Sequence, residues 1–254
     1  MGPIVAGSFY SANPDVLRTE VQGFLAEANR FAVGDLRGLI VPHAGYGYSG
    51  PVAATAYALL AGRSFERIVL IGPSHFVRFE GLAAPVADVW RIPLGEVAVE
   101  PAPDVPAFQE PYAAEHCLEV QLPFLHEVLG PRSVMPILTG DISPQRAGDA
   151  LDRLVDDHTL LVVSTDLSHY LSYEAAQRID ARTAAVVVAV EPERLDPDSA
   201  CGRTGLQAAL LLARRRSWEV GLLDLRNSGD TSGDRSRVVG YGAFALSRSA
   251  LGGC

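Results

Sequence analysis

Short apolar runs alternate along the chain with stretches whose apolar residues recur at helical spacing. The runs at 39–41, 67–71, 133–138 and 159–163 predict buried strands, and 218–225 and 238–246 predict closing strands. Helices are predicted at 14–28, from Pro51 to Gly62, and at 144–156, 174–190 and 205–215. This alternation predicts an α/β fold with one central, mostly parallel, twisted sheet and helices on both faces.

Two regions fit this alternation less simply. Residues 82–112 hold five prolines between Pro93 and Pro111, with apolar residues interspersed, which predicts weak strands and loops rather than a linker. Leucines at 118, 122, 125 and 129 form a stripe at helical spacing, in which Pro123 marks either a kink or the first helical turn.

The composition narrows the function classes. The 254 residues suffice for one large α/β domain or two small ones, and the net charge of −9 argues against nonspecific nucleic-acid binding and anionic membranes. Three cysteines fit a reducing compartment, and no apolar run is long enough to cross a bilayer. With no basic segment leading into an apolar stretch at the start, the expectation is a soluble, cytoplasmic protein.

Three histidines each follow a predicted strand: His43, His75 and His169. Pro42 should end its strand, and Ser49 can cap the helix that begins near Pro51. Ligands of open α/β sheets bind beyond the strands' carboxyl ends, and neutral imidazole is the commonest transition-metal ligand. Any one of these residues could be an ordinary loop histidine, but three at equivalent positions favour a metal cluster. His126 and His158 lack this placement and are interpreted as structural or solvated.

Carboxylates for such a cluster lie in two places. Asp230 and Asp234 fall in the turn-rich stretch Asn227–Asp234, and either offers an anionic ligand, although plain turns are the usual role of such loops. Asp166 precedes His169 by three residues and can orient that imidazole, with a simple turn as the alternative.

His116 lies between two acidic residues, Glu115 and Glu119, which share a face if the segment is helical. A proton-relay role and a helix-start cluster are equally compatible with this spacing. Cys201 and the glycine after it precede a helix, where free amides can hold an anion or small residues can pack against the sheet, and packing is the favoured reading.

Several motifs together give the chain a resemblance to the Memo family. Its motifs occur here in order as Ala6–Tyr10, Pro42–Tyr46, Gly72–His75, Glu115–Pro123, Ser164–Tyr170 and Cys201–Gly202. The resemblance covers nearly the whole chain and implies a single domain over 1–254. It also implies a class III extradiol dioxygenase-like fold, with a metal crevice in a mostly parallel sheet.

The resemblance implies roles for the histidines. His43 and His75 match metal ligands, His169 matches an acid/base histidine, and His116 matches another pocket histidine. In animal Memo proteins a cysteine near the C-terminal end completes the site, whereas this chain has Asp230 and Thr231 there. An aspartate favours Fe(II), while a cysteine would suit Cu(I), so Fe(II) is the expected cofactor and copper or zinc are alternatives.

Three functional hypotheses follow. The first is a non-haem Fe(II) oxidoreductase in which His43, His75 and Asp230 hold the metal and His169, His116 and Asp166 act on a small substrate such as an aromatic diol. The second is a binding protein that holds a metal or a phosphopeptide in the same pocket, and the third is a zinc hydrolase. The candidate substrate contacts are Tyr46, Ser74, Glu119 and Cys201.

Overall fold

The computed structural model describes residues 1–248. The helices are α1 (Pro14–Glu27), α2 (Tyr46–Tyr57), α3 (Leu122–Leu129), α4 (Pro144–Leu154), α5 (Tyr173–Val188), α6 (Arg203–Arg215) and α7 (Ser228–Ser232). The strands are β1 (Asp35–Val41), β2 (Arg67–Pro73), β3 (Leu82–Ala83), β4 (Val89–Ile92), β5 (Gly95–Ala98), β6 (Met135–Thr139), β7 (Thr159–Ser164), β8 (His169–Leu171), β9 (Trp218–Asn227) and β10 (Val238–Arg248).

The central sheet is mixed, with a parallel middle. Its order is β3-β6-β2-β7-β1-β10-β8, and β9 pairs with β10. Strands β6, β2, β7 and β1 pair in parallel, whereas the pairings of β3, β8, β9 and β10 are antiparallel. The predicted mostly parallel α/β fold is confirmed, and the antiparallel strands are confined to the flanks.

Helices cover both faces of the sheet, as predicted. Leu39 and Val41 of β1 pack in a core layer with Val21 of α1, while Ile40 between them packs in a second layer with Leu151 of α4. Successive residues of a strand point to opposite faces, so β1 is apolar throughout because it is buried on both sides. None of the helices in residues 1–248 has the length and apolar composition that a membrane crossing needs.

The strand register places the functional loops side by side. Val41 lies opposite Ser164, and Ile71 lies opposite Val163, so β1, β7 and β2 end at the same edge of the sheet. His43 and His75 each stand two residues beyond the end of their strand. The residue at the equivalent position after β7 is Asp166, and His169 begins the short strand β8 three residues later.

Local capping differs from the sequence prediction at α2. The helix begins at Tyr46, Pro51 lies inside it, and the Ser49 hydroxyl donates to the Ala44 carbonyl at 2.8 Å instead of capping an N-terminus. Asn13 caps α1, because its side chain accepts from the amides of Asp15 and Val16. Proline in a first turn is tolerated, which matches Pro123 in α3.

Candidate metal centre

Two of the strand-end histidines have partners that fix their tautomers. The Ser164 hydroxyl donates to the Cys117 carbonyl at 2.7 Å, so towards His43 Nδ1, at 2.9 Å, it can only accept. His43 Nδ1 therefore carries the proton. The same holds for His75 Nδ1, which lies 2.9 Å from a carboxylate oxygen of Glu115. In this tautomer Nε2 of each ring carries the lone pair, which is the form that binds a metal, although at His43 the Cys201 sulfur lies 3.3 Å from it.

Glu115 organises the loop that carries His75. Its buried carboxylate accepts from the His75 amide at 2.6 Å and from the amides of His116 and Cys117, each at 3.0 Å. Burial alone would raise the pKa of Glu115, but the hydrogen bonds from His75 outweigh it and lower the pKa to about 2. The side chain is thus an anion that fixes two histidines at once.

Replacing Glu115 tests this anchor through pH. A carboxyl group with a lowered pKa stabilises the fold above its ordinary pKa of about 4.5, and this contribution is lost as the pH falls through about 2. We expect Glu115→Gln to lower the free energy of unfolding by about 2 kcal/mol at pH 6. The difference from wild type should shrink between pH 4.5 and pH 2, as measured by urea unfolding. A difference that stays constant over this range would contradict the role of the anion.

The third member of the cluster is His116. A ring nitrogen of His43, His75 and His116 lies within 4.8 Å of one in each other ring. The ring centroids are 5.2 Å apart for His43 and His75, 5.6 Å for His43 and His116, and 5.1 Å for His75 and His116. Nitrogens that share a metal at about 2.0–2.1 Å lie about 3.0–3.5 Å apart, so small rotations complete a three-nitrogen site.

The electrostatics of the cluster favour neutral rings. Burial lowers the pKa of His43 well below its ordinary value, and the nearby His75 and His116 lower it further. Burial also lowers the pKa of His116, against the opposing charge of Glu115. Metal ligation needs neutral imidazole, and these two shifts favour that form for His43 and His116. The donor set therefore fits a divalent metal ion.

A second grouping, His75 with Glu115 and Cys117, is also close enough to hold a cation. Its ligand atoms are already engaged, because Glu115 accepts four hydrogen bonds and the Cys117 thiol contacts the Pro73 carbonyl at 3.2 Å. Burial raises the pKa of Cys117 well above its ordinary value, which keeps the thiol protonated. The three-histidine group is the better candidate.

Asp166 and His169 complete the site in a way that differs from the prediction. The Asp166 carboxylate accepts from the His43 amide at 2.8 Å and lies 4.0 Å from His43 Nε2, so it faces His43. His169 is oriented by the Leu167 carbonyl, to which its Nδ1 donates at 2.8 Å. Its Nε2 is not engaged by that bond. Burial raises the pKa of Asp166 to about 6, against the His43 hydrogen bond that lowers it.

The loop that carries Asp166 and His169 is held by hydrogen bonds to α5 and β10. The Asp180 carboxylate of α5 accepts from the Ser168 amide at 3.0 Å and from its hydroxyl at 3.1 Å. The Gly240 amide of β10 donates to the Ser168 carbonyl at 2.8 Å. A Cβ on Gly240 would lie 2.0 Å from a carboxylate oxygen of Asp180. Only glycine permits this approach, which explains its place in β10.

The predicted third ligand, Asp230, is not brought to the cluster. Its carboxylate accepts from the Asn227 amide at 3.0 Å, as part of the cap of α7, and from the Tyr173 hydroxyl. Asp234 does line the crevice, but its carboxylate accepts from the amide and hydroxyl of Ser236. The helix cap turns Asp230 away, and His116 stands where a third ligand was expected.

The predicted substrate contacts lie elsewhere for the most part. Tyr46 is buried and donates to the Val120 carbonyl at 2.8 Å, and Glu119 is buried beneath the N-terminal segment. These two predictions are corrected, since neither side chain lines the crevice. Ser74 and Cys201 line a neighbouring cavity of about 550 Å³. The Cys201 sulfur lies 3.3 Å from His43 Nε2 and so contacts the cluster from that side.

The histidines open into a crevice of about 760 Å³. His43, His75, His116, His169 and Asp166 all line it. Sequence reasoning missed most of its other walls, which include Ser8, Phe9, Phe76, Tyr170, Arg237 and Tyr241. The available signals were the motif Ala6–Tyr10, which contains Ser8 and Phe9, and the position of Tyr170 directly after His169. His126 and His158 lie outside the crevice lining, in agreement with the prediction.

Sequence comparisons identify the family of this chain. The profile of the Memo-like protein family matches residues 2–245. A MEMO1 family protein of Methanopyrus kandleri is 34% identical over 281 residues, covering 97% of this chain and 98% of its own. A MEMO1 family protein of Aeropyrum pernix is 35% identical over 283 residues, covering 96% and 98%. A solved structure of an uncharacterized protein from Escherichia coli K12 covers 82% of this chain and 99% of its own, with a TM-score of 0.49 and 10% identity. On the family profile and these relatives, the chain belongs to the Memo family.

Proposed function

We propose that this protein is a metal-dependent oxidoreductase that holds Fe(II) and acts on a small aromatic diol. The observation that supports this is the meeting of three imidazoles with a fourth, His169, in a single crevice. Three nitrogen ligands leave coordination positions open, and imidazole suits iron as well as zinc and copper. When bound, Fe(II) would supply a site for O2 activation, with the electrons for O2 reduction coming from the diol substrate.

Residues of the crevice have separate proposed roles in metal binding, proton transfer and positioning. His43, His75 and His116 are the proposed metal ligands, with Ser164 and Glu115 fixing the first two rings. His169 Nε2 takes the proton of a substrate hydroxyl, because its Nδ1 is committed to Leu167. Asp166 holds the His43 loop by its bond to the His43 amide. Its pKa of about 6 also lets it exchange a proton near neutral pH.

Zinc-dependent hydrolysis is a second candidate, favoured by one specific observation. The third ligand in the cluster is His116 and not a carboxylate, and three histidines with an open position form a known type of catalytic zinc site. A metal-bound hydroxide would then be the nucleophile. The two candidates differ in the metal and in whether O2 is consumed.

Oxygen uptake tests the proposal. The protein is loaded anaerobically with Fe(II), mixed with a panel of catechols and followed with an oxygen electrode, while Zn²⁺-loaded protein is assayed with ester, amide and phosphoester substrates. We expect O2 consumption by the Fe(II) form, and a fall of about 100-fold in turnover for His169→Ala. The metal content of that variant should stay unchanged, since His169 is not a proposed ligand.

His158→Ala is the matched control, because this histidine is exposed and pairs only with Glu66, at 3.8 Å. Its turnover should equal that of wild type. Hydrolysis by the zinc form without O2 uptake would favour the second candidate. If the metal-loaded protein binds ligands but catalyses neither reaction, the site is a binding pocket and not an active site.

A further inference from the structure

A buried carboxylate on α5 lies behind the loop that carries His169. Asp180 is 2% exposed and shares the buried face of α5 with Ala176 and Val187. In the part of the chain that the structure describes, its carboxylate has no ion-pair partner, and both of its hydrogen bonds come from Ser168. Burial raises the pKa of Asp180 above its ordinary value, against the two Ser168 bonds that lower it. A carboxylate buried without a cation is costly for the fold, so apolar packing does not explain this residue.

The two bonds hold one residue, Ser168, on the side of α5. The Ser168 amide donates to one oxygen of Asp180 at 3.0 Å, and the Ser168 hydroxyl donates to the other at 3.1 Å. On the side of β10, the Ser168 carbonyl accepts from the Gly240 amide at 2.8 Å, and the Leu167 amide donates to the Gly240 carbonyl at 2.8 Å. Every polar group of Ser168 therefore has a partner. The residue cannot turn without breaking bonds to α5 or to β10.

Ser168 is the middle residue of the turn that orients His169. The ring donates from Nδ1 to the Leu167 carbonyl, two residues back, at 2.8 Å. Whether the ring and this carbonyl meet depends on the backbone torsion angles of the residue between them, which is Ser168. A carbonyl oxygen can only accept, so the bond selects the neutral tautomer with the proton on Nδ1 and the lone pair on Nε2. The bonds that hold Ser168 thus bear on which nitrogen of His169 can take up a proton.

From these observations we propose that Asp180 is a positioning residue for His169, which acts through Ser168 to hold the imidazole in the tautomer with the proton on Nδ1. Asp180 does not line the crevice, so it acts without touching a ligand there. The inference rests on the proposed function for the use that is made of the Nε2 lone pair. Control of the tautomer itself requires neither a metal nor turnover.

Two substitutions at Asp180 separate its hydrogen bonds from its charge. Asp180→Ala removes both acceptors of the Ser168 bonds. Asp180→Asn keeps the size of the side chain, and its amide can accept from the Ser168 amide and donate to the Ser168 hydroxyl oxygen. Val187→Ala is the matched control, because it removes two buried methyl groups from the same face of α5 and no bond to Ser168.

The test reads the tautomer of His169 by NMR in the full-length protein at pH 8, labelled with 15N-histidine and without added metal. Two-bond 1H–15N correlation spectra show which ring nitrogen carries the proton, and a His169→Ala spectrum assigns the signals. We expect the Nδ1–H tautomer alone in wild type, Asp180→Asn and Val187→Ala. In Asp180→Ala about a third or more of the rings should carry the proton on Nε2. Loaded with Fe(II), that variant should also lose about 10-fold in kcat with KM unchanged.

An unchanged tautomer in Asp180→Ala, or an equal shift in Val187→Ala, would overturn the inference, and so would a mixture of tautomers in wild type. If Asp180→Ala does not fold, Ser168→Ala takes its place, because it removes the hydroxyl bond alone. Visible Nε2–H signals in that variant support the inference, and their absence overturns it. A tautomer shift in Asp180→Ala without O2 uptake by wild type would refute the oxidoreductase and leave the positioning role standing. Uptake by wild type with no tautomer shift in the variant would do the reverse.

Discussion

Removing either of two histidines should abolish metal loading. For His43→Ala and His75→Ala we expect the affinity for Zn²⁺ or Fe(II) to fall by about 1000-fold. The loss of an outer partner of a ligating histidine costs roughly 10–100-fold, and the loss of the ligand itself removes a bond as well. The metal content after anaerobic loading and dialysis, measured by mass spectrometry, should drop from one equivalent to background.

Comparing the two variants distinguishes loss of metal coordination from loss of folding. His43 is buried, so its removal also takes one of several hydrogen-bond partners from Ser164, whereas His75 is partly exposed and its removal disturbs the core less. Loss in both variants with native thermal melts would assign the effect to coordination. The exposed His158→Ala should bind like wild type. Metal content that is substoichiometric in wild type and unchanged in both variants would refute the site.

The sequence predicted the location of the site because the argument needed only topology. Parallel strands bring their carboxyl ends to one edge, so His43 and His75 had to meet once β1 and β2 shared the sheet. Buried strands can also be recognised in the sequence as continuous apolar runs, as in β7. The two-layer arrangement of helices followed from the same alternation. These features depend on chain direction and burial, which sequence patterns record.

The sequence patterns did not predict the direction in which individual side chains point. Asp230 lies in the predicted turn, but its carboxylate serves the cap of α7, a short helix that turn-rich composition did not indicate. Glu115 and Glu119 were expected on one helical face if 115–121 was helical. A turn and the 3₁₀ segment Glu119–Gln121 stand there instead, and the two carboxylates face different partners. Such outcomes depend on competing hydrogen bonds, which spacing does not encode.

Glu119 shows how a buried charge can shape the crevice without lining it. Its carboxylate accepts from the amides of Ile4 and Val5, at 2.7 and 3.0 Å, and from the Tyr10 hydroxyl at 2.6 Å. These bonds hold the segment that carries Phe9, whose ring packs on His116 at 4.8 Å between centroids. The N-terminal residues thus form a wall of the crevice because one anion far along the chain binds them.

Replacing that anion should have the largest effect on stability. Glu119→Ala leaves three donors without an acceptor, and we expect it to lower the free energy of unfolding by about 4 kcal/mol. Tyr10→Phe removes one of the three donors and should cost about 1 kcal/mol. Urea unfolding at pH 7 measures both. Limited proteolysis should also cut the first residues of Glu119→Ala faster, because the segment loses its anchor.

Glu96→Ala provides the control, since this carboxylate is 63% exposed and pairs with an exposed arginine at 3.0 Å. Such surface pairs contribute little, so its unfolding should match wild type within about 0.5 kcal/mol. If Glu119→Ala is too unstable to purify, Tyr10→Phe still distinguishes the outcomes. A Tyr10→Phe protein as stable as wild type, with an N-terminus no more open to protease, would mean that apolar packing alone holds this wall. The contact between Phe9 and His116 would then not depend on the buried anion.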